Sequence, residues 1–330
     1  MLPEIPSAPT WRFHRAVVTG GSGFVGSHLC EALLARDTEV VCVDNFLTSS
    51  PDTLTRQLGA DGFALLKHDV CAAFDVPGEV DLVLHLASPA SPADYLKLPL
   101  QTLRAGSAGT LNALELARRK GARFVLASTS EVYGNPLVHP QPETYWGNVR
   151  PTGPRSVYDE AKRFAEATTA AYRREFGTDT AIVRIFNTYG PRMRPHDGRV
   201  VPTFIRQALS GEPLTVAGDG SHTRSLCYVS DTVDGLLAAA ESTLAGPVNL
   251  GCPEELTVRA IAELVGQLCG SDLPLTFTPL PADDPARRCP DISLIRQATG
   301  WQPRVPLRDG LTATIAWFTG QLATPIPAVR

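Results

Sequence analysis

Thr19-Gly20-Gly21-Ser22-Gly23-Phe24-Val25-Gly26 lies between an apolar, β-branched run, Ala16–Thr19, and a stretch of helical spacing, Val25–Arg36. Glycines allow a tight turn and let backbone N–H groups approach an anion, and the first turn of the following helix adds partial positive charge. Alone, such a loop is often no more than a turn. The next apolar run, Glu39–Val43, ends at Asp44, about 20 residues past the glycines, where an acid meets a ribose 2′-hydroxyl and repels a 2′-phosphate. Strand, glycines, helix and acid in this order predict a dinucleotide site at Gly20, Gly23, Phe24, Val25, Gly26, Asp44 and Asn45, with NAD favoured over NADP.

Working outward, the first half keeps alternating short apolar runs with helical stretches, the signature of a parallel sheet covered on both faces. Candidate strands are Ala64–Lys67, Asp81–Leu86, Phe124–Ser128 and Ala181–Ile185, and candidate helices are Thr102–Lys120 and Val157–Phe176. The expected fold is α/β: a Rossmann-type doubly wound parallel sheet with a smaller C-terminal α/β lobe for substrate. Past Asn187 prolines and short segments dominate. We therefore expect residues 1–187 to form the NAD-binding domain and 188–330 mainly the nucleotide-sugar lobe, with 222–251 returning to the sheet.

The chain of 330 residues has a net charge of −4, which gives no basic field for a nucleic acid backbone. No apolar run has membrane-spanning length, and Met1–His14 carries Glu4 and three prolines where a signal peptide needs an apolar core. A cytoplasmic protein with no membrane partner is expected. The seven cysteines are scattered without a Cys-x-x-Cys pair, and the seven histidines show no metal-ligand spacing, so no metal site is expected.

Tyr158 and Lys162 are four apart in a helical stretch and share a face. An ammonium near a phenol favours the phenolate, and such a tyrosine can take a hydroxyl proton while hydride leaves for a nicotinamide. The spacing alone is common on helices. It gains weight from Ser128-Thr129-Ser130 at the end of a strand, where hydroxyls can reach the same oxygen. The arrangement resembles the extended short-chain dehydrogenase/reductase family over nearly the whole chain. The resemblance implies that Thr129, Tyr158 and Lys162 carry the hydride chemistry. Asn45, Asp69, Val70, Leu86, Ala87, Ser88 and Thr188 are expected to complete the cofactor site, together with Tyr158 and Lys162.

Within the family, Ser130-Glu131 stands where the 4,6-dehydratases have Asp-Glu, and the 4-epimerases usually lack an acid at Glu131. The pair is similar to that of the UDP-glucuronate decarboxylases. So are His85–Pro92, His139–Glu143, Gly153–Glu160, Arg184–Met193 and Asp197–Val201. This resemblance implies oxidation of UDP-glucuronate at C4, loss of carbon dioxide from C6 and re-reduction to UDP-xylose. It implies catalytic roles for Ser130, Glu131 and Arg288, the last holding the substrate carboxylate, for which a guanidinium fork is suited. For an arbitrary arginine the alternative is solvated surface charge. Arg104, Asn187, Arg192, Arg199 and Arg224 are expected to bind the nucleotide sugar, and two long helices to pair in a homodimer. Cys289 stands where the pattern has Lys, Ala105-Gly106 where it has Thr-Asn, and Arg194-Pro195-His196 also departs. These departures leave open a partial release of UDP-4-keto-xylose. Another nucleotide-sugar 4-epimerase or 4,6-dehydratase, and a non-catalytic NAD-binding protein, are the alternative readings.

Overall fold

A computed structural model describes residues 11–281 and 283–323; residues 1–10, most of the N-terminal segment read above, lie outside it. The chain opens with β1 (Arg15–Thr19), α1 (Phe24–Leu34), β2 (Glu39–Asp44), β3 (Phe63–Lys67) and β4 (Leu82–His85). Two short helices, α2 (Pro92–Tyr95) and α3 (Pro99–Arg104), lead into α4 (Thr110–Lys120), then β5 (Arg123–Thr129), α5 (Ser156–Phe176) and β6 (Thr180–Ile185). These strands and β11 (Val248–Leu250) form one seven-stranded sheet in the order β3-β2-β1-β4-β5-β6-β11. Every pairing in it is parallel. Strand order reverses between β1 and β4, and in such sheets the crevice beyond the strand ends at that point is the natural ligand site.

The strands are short and apolar because both faces are covered. On one face Val18, Val40, Val125 and Val183 pack with Leu29 and Leu33 of α1 and with Leu236 and Leu237 of α7 (Val229–Glu241). On the other, Val17, Val41, Val83 and Phe124 meet Leu114, Leu116 and Ala117 of α4 and Ala165 of α5. Between β6 and α7 lie β7 (Thr188–Tyr189), α6 (Val200–Leu209), β8 (Leu214–Ala217), β9 (Thr223–Ser225) and β10 (Cys227–Tyr228). After β11 come β12 (Glu255–Thr257), α8 (Val258–Leu268), β13 (Leu275–Thr278), α9 (Ser293–Thr299) and α10 (Leu307–Ala323). A separate cluster of Phe204, Ile205, Leu214, Ile261, Val265 and Phe318 joins α6, β8, α8 and α10 into a lobe. Among the described residues no helix is long and apolar enough to cross a membrane.

The helix expected over Thr102–Lys120 begins earlier, at Pro99, and is not continuous. Ala105–Gly109 forms a wider π-turn between α3 and α4. This run, Ala-Gly-Ser-Ala-Gly, has no large side chain to resist the change of pitch. At Gly106 the backbone lies so close to α5 that a Cβ would sit 2.6 Å from the Ala161 Cβ. Glycine at 106 thus has a packing reason.

Candidate active site

A cavity of about 880 Å³ opens at the carboxyl ends of the strands, and every site residue expected from the sequence lines it. Its floor is the Gly20–Gly26 loop. Gly20 takes φ +71°, its N–H donates to the Val43 carbonyl at 2.8 Å, and a Cβ on Gly26 would lie 2.2 Å from the Gly20 oxygen. Only glycines allow the turn and the helix start to close up this way. Asp44, at the end of β2, is buried. Its Oδ2 accepts from the Ser22 N–H at 3.0 Å, and its Oδ1 from the Phe46 N–H and Ser49 hydroxyl, each at 2.9 Å. The carboxylate is fixed against the loop, with acceptor capacity left for a ribose. Asp69 and Val70 follow β3 on the same wall, and the Cys71 N–H donates to Asp69 at 2.9 Å. That hydrogen bond, the largest influence on it, holds the Asp69 carboxyl below the usual carboxylate range. A backbone cradle that any Cβ would fill, facing a fixed acid, fits a dinucleotide.

At the far end of the cavity Tyr158 and Lys162 project from the first turns of α5, both buried. The Lys162 ammonium donates to the Ala127 carbonyl at 2.7 Å and lies 5.9 Å from the Tyr158 ring centroid. Burial pulls its pKa down to about 8. The phenol is not pulled down as the spacing had implied. Burial, and then the charge of Glu131, push its pKa up, while a hydrogen bond with Thr129 and the charge of Arg199 oppose them less strongly. Desolvation of the buried phenol is the largest of these effects. Beneath the pair, His85 is held between the Thr19 hydroxyl at 2.7 Å and the Thr110 hydroxyl at 3.3 Å, and burial lowers its pKa to about 3. It stays neutral beside Lys162.

Glu131 lies in the turn that follows β5, where its N–H donates to the Thr129 hydroxyl at 3.2 Å. One carboxylate oxygen accepts from Arg288 and from Arg155, each at 3.0 Å. Burial would raise the acid, but the two guanidiniums outweigh it and hold Glu131 below the usual range. Arg288 is 1% exposed; it also donates to the Ser130 carbonyl, while its Nε has no hydrogen-bond partner. Arg155 continues to Asp284 at 3.3 Å, and Asp284 accepts from Arg224 at 2.7 Å. Within these ion pairs three guanidiniums face two carboxylates.

The family model described as the NAD dependent epimerase/dehydratase family matches residues 16–251. The chain belongs to that family. It is 50% identical over 308 residues, 93% of its length and 73% of the relative's, to UDP-glucuronic acid decarboxylase 1 of Danio rerio. It is 50% identical over 312 residues, 94% of its length and 90% of the relative's, to UDP-glucuronic acid decarboxylase 6 of Arabidopsis thaliana. Its fold is similar to that of a variant of the UDP-glucuronic acid 4-epimerase of Bacillus cereus, solved with UDP-4-deoxy-4-fluoro-glucuronic acid and NAD. That match has a TM-score of 0.85 and 27% identity, and covers 93% of this chain and 99% of that one. NAD is the cofactor of the family.

Two of the remaining arginines expected at the site of this epimerase/dehydratase chain are already engaged with acids. Arg192 pairs with Glu31 and Arg199 with the buried Asp197. Arg104 is exposed on the cavity wall at the end of α3. Asn187 and Thr188 follow β6 in the same wall, and the Thr188 hydroxyl meets that of Thr232 at 3.0 Å. Sequence reasoning had not singled out four residues. Arg155 and Asp284 complete the Glu131 network. Tyr95 stacks on Tyr158 with ring centroids 5.2 Å apart and planes 6° apart, its buried hydroxyl without a partner. Asp159 is buried with one carboxylate oxygen unpartnered. Arg155, three residues before Tyr158, was within reach of the helical spacing that picked out Lys162. Tyr95 carried no such signal.

Proposed function

We propose that this chain is a UDP-glucuronate decarboxylase, converting UDP-glucuronate to UDP-xylose with NAD retained throughout. The observation that carries the reading is the buried Glu131–Arg288–Arg155 cluster, set against Ser130 and beside Tyr158 in the cavity that holds the dinucleotide loop. Its surplus positive charge suits a sugar acid, which neither a neutral hexose nor its 6-deoxy product presents.

Gly20, Gly23, Phe24, Val25, Gly26, Asp44, Asn45, Asp69, Val70, Leu86, Ala87, Ser88 and Thr188 would hold NAD. NAD, when bound there, would supply first the acceptor and then the donor of the C4 hydride, and its positive ring would favour the phenolate. Tyr158 takes the proton of the C4 hydroxyl, oriented by Thr129. Lys162, anchored on Ala127, fixes the electrostatics of that exchange. The resulting C4 ketone makes the C6 carboxylate that of a β-keto acid. When the C5–C6 bond breaks, its electron pair passes towards the C4 oxygen, and carbon dioxide departs. Arg288 and Arg155 orient the acid, and Glu131 serves the proton movements at C5. Arg192, Arg199 and Arg224 grip the nucleotide diphosphate from the lobe formed mainly by residues 188–330, and Arg104 and Asn187 do so from the side of residues 1–187, which carry the cofactor. Two copies pair through α4 and α5, whose outer faces expose Leu111 and Phe164.

The test is to incubate purified protein with UDP-glucuronate and no added NAD, and to follow nucleotide sugars by mass spectrometry. The expected product is a UDP-pentose lighter than substrate by carbon dioxide, and its ratio to UDP-4-keto-pentose reports whether hydride returns. Tyr158→Phe, which keeps the ring and removes the hydroxyl, is expected to give neither. Substrate left unchanged by the native chain even after NAD is supplied would overturn the reading.

A further inference from the structure

The histidines and cysteines show no metal-ligand spacing along the chain, yet the fold gathers three donors outside the cavity. Among the described residues, His139, Glu255 and Cys289 place one ligand atom each within 4.8 Å of one another. His139 Nε2 lies 3.0 Å from Glu255 Oε2. Cys289 directly follows Arg288. We propose that these three side chains bind one divalent transition metal of the Zn²⁺ type, with water as the fourth ligand, and that the metal pins the segment carrying Arg288.

Three features support the assignment. The first is the donor set. A thiolate, an imidazole and a carboxylate match Zn²⁺ and not the hard, oxygen-seeking Mg²⁺ or Ca²⁺. Thiolate and carboxylate together also neutralise a 2+ ion, so the site carries no net charge beside the Arg288 cluster. The second is preorganisation. The Gln141 N–H donates to the Cys289 carbonyl at 2.9 Å and the Cys289 N–H to the Gln141 side chain at 2.9 Å, tying the His139 loop to Cys289. Glu255 sits on β12, paired with Ser225 of β9, and the Ser225 N–H and hydroxyl donate to the Arg288 carbonyl at 3.1 and 2.7 Å. The backbone thus holds all three ligand-bearing segments in register. Tetrahedral Zn²⁺ needs its ligand atoms about 3.3–3.7 Å apart, and the three here lie within 4.8 Å of one another. The third is access. His139 is exposed whereas Cys289 is buried, so an ion enters from solvent on the imidazole side. Binding displaces the thiol proton, which now points to the Pro253 carbonyl at 3.3 Å, because the ligand is the thiolate.

The proposal is independent of the sugar chemistry and is tested without it. Metal-stripped full-length chain is titrated with Co²⁺ alone, then with Zn²⁺ alone. Expected are about one ion per chain and a near-ultraviolet thiolate-to-cobalt absorption that survives Cys269→Ser and disappears in Cys289→Ser. His139→Ala, which alters a half-buried side chain at the surface and so tests the site even where a cysteine variant folds poorly, should weaken Zn²⁺ by more than the ~10–100-fold typical of outer-shell changes. Amide exchange over 286–290 should slow when Zn²⁺ is present. Absence of the thiolate band, its survival in Cys289→Ser, or unchanged Zn²⁺ affinity in His139→Ala would overturn the site. Bound metal with unaltered exchange would overturn the pinning.

Discussion

Asp159 follows Tyr158 and faces inward without a hydrogen bond to one of its oxygens. Burial, then the charge of Glu131, push its pKa up to about 7, against the pull of Arg155. An acid whose pKa is higher folded than unfolded costs stability where it is ionised. The cost is absent below the unfolded value, grows as pH rises through the window from about 4 to about 7, and is constant above it. Asp159→Asn should therefore stabilise the protein by about 1–3 kcal/mol at pH 8, with the gain fading towards pH 4, as read by denaturant unfolding at a series of pH values. A gain independent of pH would mean that ionisation is not its source. Arg288 is the opposite case, a buried cation whose removal leaves Glu131 to Arg155 alone. Arg288→Ala should weaken UDP-glucuronate far more than UDP, by about 2–5 kcal/mol in calorimetric titrations. Equal losses for the two ligands would assign Arg288 to architecture and not to the sugar acid.

The α5 helix carries Tyr158 and Lys162 on one side and meets the π-turn of Ala105–Gly109 at Ala161. The fit is tight on both Cβ and backbone, since a Cβ on Gly106 would also lie 2.8 Å from the Ala161 carbonyl. Gly106→Ala is expected to cost about 1–3 kcal/mol by chemical denaturation, and Ala161→Gly in the same chain to recover part of it. Strict additivity of the two changes would show that they do not touch. At this scale the long elements were legible. The six apolar runs became strands of the main sheet, and the stretch over Val157–Phe176 became α5, because burial on fixed faces imposes a period on the sequence. The π-turn was not legible, since a change of pitch in a run of small residues leaves that period almost unaltered. Nor were β7, β9, β10 and β12, which have two or three residues each. Such pieces are too short to show alternation and exist only because a distant strand lies alongside.

Across the whole molecule, the proposed pairing of two copies draws on exposed apolar residues of α3, α4 and α5, among them Leu100, Leu111 and Phe164. Phe164→Glu is expected to convert a dimer to monomers in sedimentation equilibrium at micromolar concentration, with the secondary structure retained. A native chain that sediments as a monomer would remove the dimer from the proposal.

The first βα unit, its acid at Asp44 and the Tyr158–Lys162 pair were determined by the sequence itself, because each is written within one or two elements and its chemistry depends on local spacing. The tertiary structure alone decided what surrounds them. Arg288 reaches Glu131 across 157 positions, Arg155 joins the same acid, and Tyr95 stacks on Tyr158. His139, Glu255 and Cys289 converge from three separate segments. Periodicity reports which side of an element is buried. It carries no information about which distant charge or donor the fold sets against it, and burial makes that partner decide the electrostatics of the site.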